Sequence, residues 1–198
     1  MKVCAPGIPD ELFLRGDIPM TKQEIRILAV VKAAVKPADI IVDIGAGTGS
    51  LSVEAALLAP QGRVYAVEKE AEGVALIRAN AAKFTAPNIE VIHGEAPAAL
   101  DGLPAADVVF VGGSGGRLPE ILAAADGLLR PCGRLIATAV TIETLHDVLQ
   151  AFSSKRDFTT EAVGVQITRL RPAGAKHMFQ ALNPVYIITG KKGDNHDR

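Results

Sequence analysis

Aromatic side chains are scarce in this sequence, which has no tryptophan, two tyrosines and six phenylalanines. Unpaired bases are held by stacking on aromatic faces, so a single-strand nucleic-acid platform is excluded as the principal role. An excess of one charge is also missing. The 21 basic side chains are met by 22 acidic ones, for a net charge of −1, and a nucleic-acid partner would call for a basic face. Cysteine is nearly absent. Cys4 and Cys132 stand far apart and make neither a disulfide scaffold nor a ligand cluster for a protein-bound metal. No apolar run is long enough to span a bilayer, and residues 1–20 show no apolar signal core. The expected location is therefore the cytoplasm, with no membrane partner.

What is present is apolar and regularly patterned. A chain of 198 residues, 48% of them apolar, can bury one sizeable core. So many apolar residues on so few aromatics also point to surface buried between subunits. Apolar, β-branched strands read at 39–44, 63–67, 88–92, 106–111 and 133–139. Helical periodicity fills 50–59, 70–83, 117–129 and 142–152. This alternation predicts an α/β, Rossmann-like, mostly parallel sheet with helices on both faces. Right-handed crossovers then gather the ligand loops at the carboxyl edge of the strands. Beyond residue 155 the pattern changes to two strands, 161–170 and 185–189, with no convincing helix between them. They predict a C-terminal antiparallel hairpin closing a seven-stranded sheet.

The organisation expected is a leader over 1–20 punctuated by Pro6, Pro9 and Pro19, one domain over 21–192, and a frayed polar tail over 193–198. Thr21-Lys22-Gln23-Glu24 reads as a capping box, in which the Thr21 hydroxyl takes a backbone N–H and Glu24 reaches back. Ile25, Leu28, Val31 and Val35 follow at helical spacing, and Lys36-Pro37 ends that helix.

The chemistry concentrates where the first strand meets its helix. Val42-Asp43-Ile44-Gly45-Ala46-Gly47-Thr48-Gly49-Ser50 sets three glycines two apart between an apolar strand and an apolar helix. Glycine allows positive φ and removes the Cβ that would hold a ligand off the main chain. The helix behind it aims free N–H groups and a positive dipole end at whatever lies above the turn. A dinucleotide fingerprint places its last glycine where this chain has Ser50. The pattern here is instead Asp-x-Gly-x-Gly-x-Gly, which resembles motif I of class I S-adenosylmethionine-dependent methyltransferases.

Downstream residues extend the site. Glu68 ends the second strand 19 residues after Gly49, where a βαβ unit puts a carboxylate beside the first turn. There it can accept two hydrogen bonds from a ribose diol, and it would repel a 2′-phosphate. The third strand runs into His93-Gly94-Glu95-Ala96-Pro97. The class I resemblance implies that Glu95, in place of the more common Asp, accepts from the adenine amine while the Ala96 backbone reads the ring edge. The fourth strand ends in Gly112-Gly113-Ser114-Gly115-Gly116. This loop has almost no side-chain bulk, and its N–H groups can face a large substrate and its carboxylates.

Taken with the leader Gly7-Ile8-Pro9-Asp10-Glu11-Leu12-Phe13 and the segment Pro19 to Arg26, that glycine loop resembles the decarboxylating cobalt-precorrin-6B C(15)-methyltransferases of cobalamin biosynthesis. The resemblance covers nearly the whole chain. One departure is Cys132, where such enzymes usually read Pro-Gly-Gly.

The resemblance implies methyl transfer from S-adenosylmethionine to carbon 15 of a cobalt-precorrin tetrapyrrole, with loss of carbon dioxide from the ring C acetate. It implies cofactor contacts from Thr21, Gly45, Ala46, Gly47, Thr48, Gly49, Glu68, Glu95 and Ala96. Thr21 serves equally as a plain helix cap. Candidate clamps for substrate carboxylates are Gly112 to Gly116, Arg117, Arg171 and Lys176, with Arg169 and His177 beside them. Each of these charges is also an ordinary surface charge. No general base stands out, and His93 reads as a strand-end side chain. A homotetramer, and contact with the C-5 methyltransferase of the same pathway, are implied as well. Three other readings stay open: another class I methyltransferase acting on a small molecule, protein or tRNA, an NAD-dependent oxidoreductase, and a non-catalytic S-adenosylmethionine sensor.

Overall fold

The computed structural model describes residues 6–193 apart from Ser114 and Ser154. Cys4, Ser114 of the glycine loop and residues 194–198 of the expected tail lie outside the described residues.

Among the described residues nine strands and five α-helices follow one another. They are α1 (Gln23–Ala33), β1 (Ile40–Ile44), α2 (Ser50–Leu58), β2 (Arg63–Glu68), α3 (Ala71–Lys83), β3 (Ile89–His93), β4 (Ala106–Val111), α4 (Leu118–Leu128), β5 (Leu129–Ala139), α5 (Ile142–Ser153), β6 (Phe158–Val165), β7 (Thr168–Ala173), β8 (Lys176–Ala181) and β9 (Val185–Lys192). The main sheet has seven strands in the order β3-β2-β1-β4-β5-β9-β6. β1 to β5 are parallel, and β9 runs antiparallel to both β5 and β6. From β1 the chain steps outward to β2 and β3, then returns to the other side of β1 as β4. That reversal opens a crevice above the carboxyl ends of β1 and β4.

Both faces of the sheet are buried, as a parallel sheet requires. One apolar cluster joins Val42, Ile44, Val109, Val111, Leu135, Ala137 and Ile188 to α4 and α5. The other joins Ile41, Val108, Phe110, Ile136 and Ile187 to α1 and α2.

Three expectations need correction. The strand expected over 161–170 is two strands. β6 ends at Val165, and β7 then leaves the main sheet to pair only with β8. The hairpin expected to close the sheet is therefore β6 with β9, and a second hairpin is inserted between them. The fifth strand begins at Leu129 rather than 133, with its register slipping between Ala106 and Val108. The capping box does not form. Lys22 is the cap residue of α1 and no side chain caps it, while Glu24 accepts two hydrogen bonds from Arg169, at 2.8 and 2.9 Å.

The leader is strapped down by buried polar groups. Arg26 is fully buried, donates to Asp10 at 3.0 Å and to Glu54 at 2.7 Å, and lies over the Phe13 ring. Glu54 in turn accepts from the Gly7 and Ile8 amides. Further on, Asn80 bonds both backbone groups of Leu14, and Glu72 accepts from the Asp17 amide. Residues 7–17 are thus fixed across α1, α2 and α3, which carries Ile18 to Lys22 over the crevice.

Candidate functional site

The crevice contains a cavity of about 460 Å³, within the range that takes small ligands. Its walls come mainly from five segments that are distant in sequence: the strap over 18–22, the turn after β1, the end of β2, the end of β3, and the glycine loop after β4.

The turn is pinned from every side. The Gly45 and Ala46 amides both donate to the Val67 carbonyl, and the Gly112 amide donates to the Ile44 carbonyl. Asn80 donates to the Thr48 carbonyl, so one side chain holds both the turn and the leader at Leu14. Gly45 has φ +71° and Gly47 φ +57°, a region costly for any residue with a Cβ. The missing Cβ at each of the two glycines faces neighbouring backbone. At Gly45 it points at the Gly113 backbone, and at Gly47 it points at the Pro19 carbonyl 2.9 Å away. The glycines therefore admit neighbouring backbone, which lets strap and loop close around the turn. Gly45 and Gly47 line the cavity. Ala46, Thr48 and Gly49 form the turn behind them, with Gly49 opening α2.

Glu68 is buried and lines the cavity. One of its oxygens accepts from the Gly47 amide at 2.8 Å, the other from the Glu70 amide at 2.9 Å. Each carboxylate oxygen has a second lone pair, so the group is fixed in place and can still accept two hydroxyls. That donor and acceptor set, beside the apolar walls of Ile44, Val67 and Ala96, fits the nucleoside expected from the sequence. Asp43, near the end of β1, is buried and accepts from the Ser52 hydroxyl. Burial pushes its carboxyl up to about 6, Ser52 opposes that by hydrogen bonding, and the nearby Glu68 charge adds to it.

The structure brings Thr21, Glu95, Ala96, Gly112, Gly113 and Gly115 to the same cavity. The Glu95 side chain is about half exposed and stands 3.9 Å from Lys69 Nζ. Thr21 contributes its carbonyl to Arg26 rather than a cap. The other candidates stand elsewhere. Gly116 lies beyond the cavity wall, Arg117 hydrogen-bonds Glu120, and Arg171 and Lys176 lie exposed on the β7–β8 hairpin with His177. His93 donates from Nε2 to the Lys69 carbonyl outside the cavity.

Sequence reasoning missed Lys22, Lys69, Thr138, Val140 and Val185, all of which line the cavity. Lys22 and Lys69 directly follow residues that were found, which was the available signal. The other three reach the site only through sheet pairing. Among the described residues no three His, Cys, Asp or Glu side chains are gathered as a metal ion would need. No helix among them is long and apolar enough to cross a membrane.

Comparison with known proteins narrows the chemistry. Residues 12–192 match the family described as precorrin methyltransferase domain. The chain is 42% identical over 190 residues to the cobalt-precorrin-6B C(15)-methyltransferase (decarboxylating) of Salmonella typhimurium, covering 96% of this chain and 98% of that one. Among solved structures it superposes on a precorrin-6y C5,15-methyltransferase from Geobacter metallireducens with a TM-score of 0.89 at 36% identity, over 97% of this chain and 100% of the other. A precorrin 8w decarboxylase from Methanobacterium thermoautotrophicum gives 0.86 at 33% identity, over 92% and 98%.

Proposed function

This chain belongs to the precorrin methyltransferase family and has the class I methyltransferase fold, and on that premise we propose that it methylates carbon 15 of cobalt-precorrin-6B from S-adenosylmethionine and removes the ring C acetate carboxyl as carbon dioxide, giving cobalt-precorrin-7. The observation that carries the reading is the shared cavity. The Glu68 carboxylate, the Gly45–Gly47 turn and the Gly112–Gly113 backbone all face one space.

In this reading S-adenosylmethionine supplies an electrophilic methyl group when bound, and the chain's own residues hold and orient. Glu68 accepts the ribose diol, and its two backbone partners keep it from turning away. Gly94, Glu95 and Ala96 read the base, and Thr21 with the strap covers the nucleoside. Ala46, Thr48 and Gly49 shape the turn from behind. The bare Gly112–Gly113 backbone lets a broad macrocycle approach closely. Orientation and exclusion of water can lower a barrier by roughly 7–11 kcal/mol in favourable cases, so no dedicated nucleophile is required. Arg117, Arg171 and Lys176 are assigned as outer contacts to substrate carboxylates.

The reading extends to assembly. The β7–β8 hairpin pairs with no other strand among the described residues and exposes Leu170, Met178 and Phe179, the last at 81%. An isolated two-stranded hairpin is marginal in water, and such side chains favour cover by another chain. A second copy of this chain is the proposed cover, within a homotetramer, and the C-5 methyltransferase of the pathway is a further partner. The unit that acts is residues 21–192 with the strap bound to it, working in the cytoplasm without a protein-bound metal.

Calorimetric titration with S-adenosylhomocysteine, followed by turnover of cobalt-precorrin-6B with mass detection of methyl gain and carbon dioxide loss, tests the proposal. Methyl transfer to tRNA or another acceptor, with none to the precorrin, would overturn the substrate. Binding of NADH without S-adenosylhomocysteine would overturn the cofactor.

A further inference from the structure

Five charged side chains line the cavity: Lys22, Glu68, Lys69, Glu70 and Glu95. Their commitments differ. Glu68 is held by two backbone amides, and the Lys69 ammonium stands 3.8 Å from Glu70 and 3.9 Å from Glu95, so its charge is offset locally. The Lys22 ammonium is exposed and has no hydrogen-bond or ion-pair partner among the described residues.

The base of Lys22 is as fixed as its tip is free. Its carbonyl accepts from the Arg26 amide at 2.8 Å, and the preceding Thr21 carbonyl accepts from the buried Arg26 guanidinium at 2.6 Å. A flexible cation on an immobile backbone, at the rim of a cleft otherwise rich in acid, is placed to meet an anion that enters with the ligand. The same cavity carries Val140, a branched apolar side chain that is 70% exposed. Exposed apolar surface and an uncommitted cation in one cavity match a flat conjugated ring with carboxylates at its edge.

Resting on the tetrapyrrole reading above, we propose that Lys22 is a specificity-determining residue that binds a peripheral carboxylate of the macrocycle, with Val140 packing on the ring face. The Lys22–carboxylate contact forms as the substrate enters and fixes which edge of the ring faces the Gly112–Gly113 backbone. The nucleoside's own carboxylate is the competing partner for the same ammonium, and it is present in S-adenosylhomocysteine.

The test is equilibrium binding, measured separately for the two ligands on the full chain. Lys22→Met and Lys22→Arg are titrated with cobalt-precorrin-6B by absorbance without cofactor, and with S-adenosylhomocysteine by calorimetry. Lys22→Met should weaken tetrapyrrole binding about tenfold, the scale of one hydrogen bond to a charged group, and flatten its salt dependence. S-adenosylhomocysteine binding should stay within twofold, and Lys22→Arg should restore the tetrapyrrole affinity. A tetrapyrrole Kd within twofold of the unmutated protein overturns the assignment. So does an equal loss for both ligands, which would give Lys22 to the nucleoside. If the unmutated protein binds S-adenosylhomocysteine but no tetrapyrrole, the substrate reading has failed and the role of Lys22 falls with it.

Discussion

The carbonyl oxygen of Gly113 stands 2.6 Å from the point where a Cβ on residue 45 would lie. The turn after β1 and the loop after β4 therefore touch backbone to backbone, and the crevice floor depends on that contact. Gly45 also holds φ +71°. Gly45→Ala meets both penalties, left-handed strain and overpacking, and should lose about 2–5 kcal/mol of stability together with S-adenosylhomocysteine binding. Gly113→Ala is the contrast, because a Cβ there meets nothing within 4 Å and its φ is unremarkable. It should melt within about 2 °C of the parent, as expected for a change of ~0.5 kcal/mol or less. Equal destabilisation of the two variants in thermal unfolding would contradict the contact.

The strap yields a second prediction. Arg26 is fully buried between Asp10 and Glu54. Arg26→Met leaves buried Glu54 without its cation and Asp10 with only Arg169 at 3.9 Å, and should cost about 3–5 kcal/mol. Adding Glu54→Gln removes one orphaned charge and should recover part of that loss. Hydrogen exchange at Gly7 and Ile8, whose amides Glu54 holds, should quicken in the single variant before the core opens. Unchanged exchange there would mean the strap is held by other contacts.

Much of the crevice was legible because its signals are local. The strand, the glycine turn and the helix occupy 42–58, and Glu68 and Gly94–Ala96 sit at strand ends that periodicity locates. The strap was legible only in part. Burial of Arg26 and Asn80 depends on partners up to 66 residues away, and a charged or amide side chain on a helix gives no sign that it faces inward. Glu24 shows the same limit. Its spacing from Thr21 suits a capping box, but Arg169, 145 residues along, takes both its oxygens. The β6–β7 break at Gln166 and Ile167 leaves no local trace either, since β-rich sequence continues through it and only the choice of partner strand divides it.

Assembly supplies a third prediction. Phe179 is 81% exposed on a hairpin that no other strand among the described residues supports. Phe179→Glu places a charge where a second copy is proposed to pack, and should shift sedimentation toward monomer with circular dichroism unchanged. The same oligomer distribution before and after substitution would remove the hairpin from the interface.

A fourth concerns Cys132. It is exposed, and its φ of +62° lies where residues with a Cβ are strained. A glycine at this irregularity of β5 would meet a backbone requirement rather than a chemical one. Cys132→Gly should relieve about 1 kcal/mol and raise the melting temperature by about 2–4 °C, with activity unaffected because this irregular stretch lies at the amino end of the β5–β4 pairing, away from the cavity. A lower melting temperature would show that unfolded-state entropy outweighs the strain.

Asp43 gives the pH dependence. Its carboxyl is moved from 3.8 to about 6 by burial, with Ser52 opposing and Glu68 adding. The native state therefore holds this proton more tightly than the unfolded chain does. Raising the pH from about 4 to about 6 strips the proton from a site that disfavours the charge, so native stability falls across that window and is level above it. At 1.36 kcal/mol per pKa unit the loss approaches about 3 kcal/mol. Asp43→Asn cannot ionise, keeps an acceptor for the Ser52 hydroxyl, and has no such slope. Denaturant unfolding of the two proteins from pH 4 to pH 8 should show the variant gaining on the parent up to about pH 6 and holding a constant lead beyond it. Parallel curves would mean that Asp43 ionises without penalty, which requires that water reach this buried carboxyl.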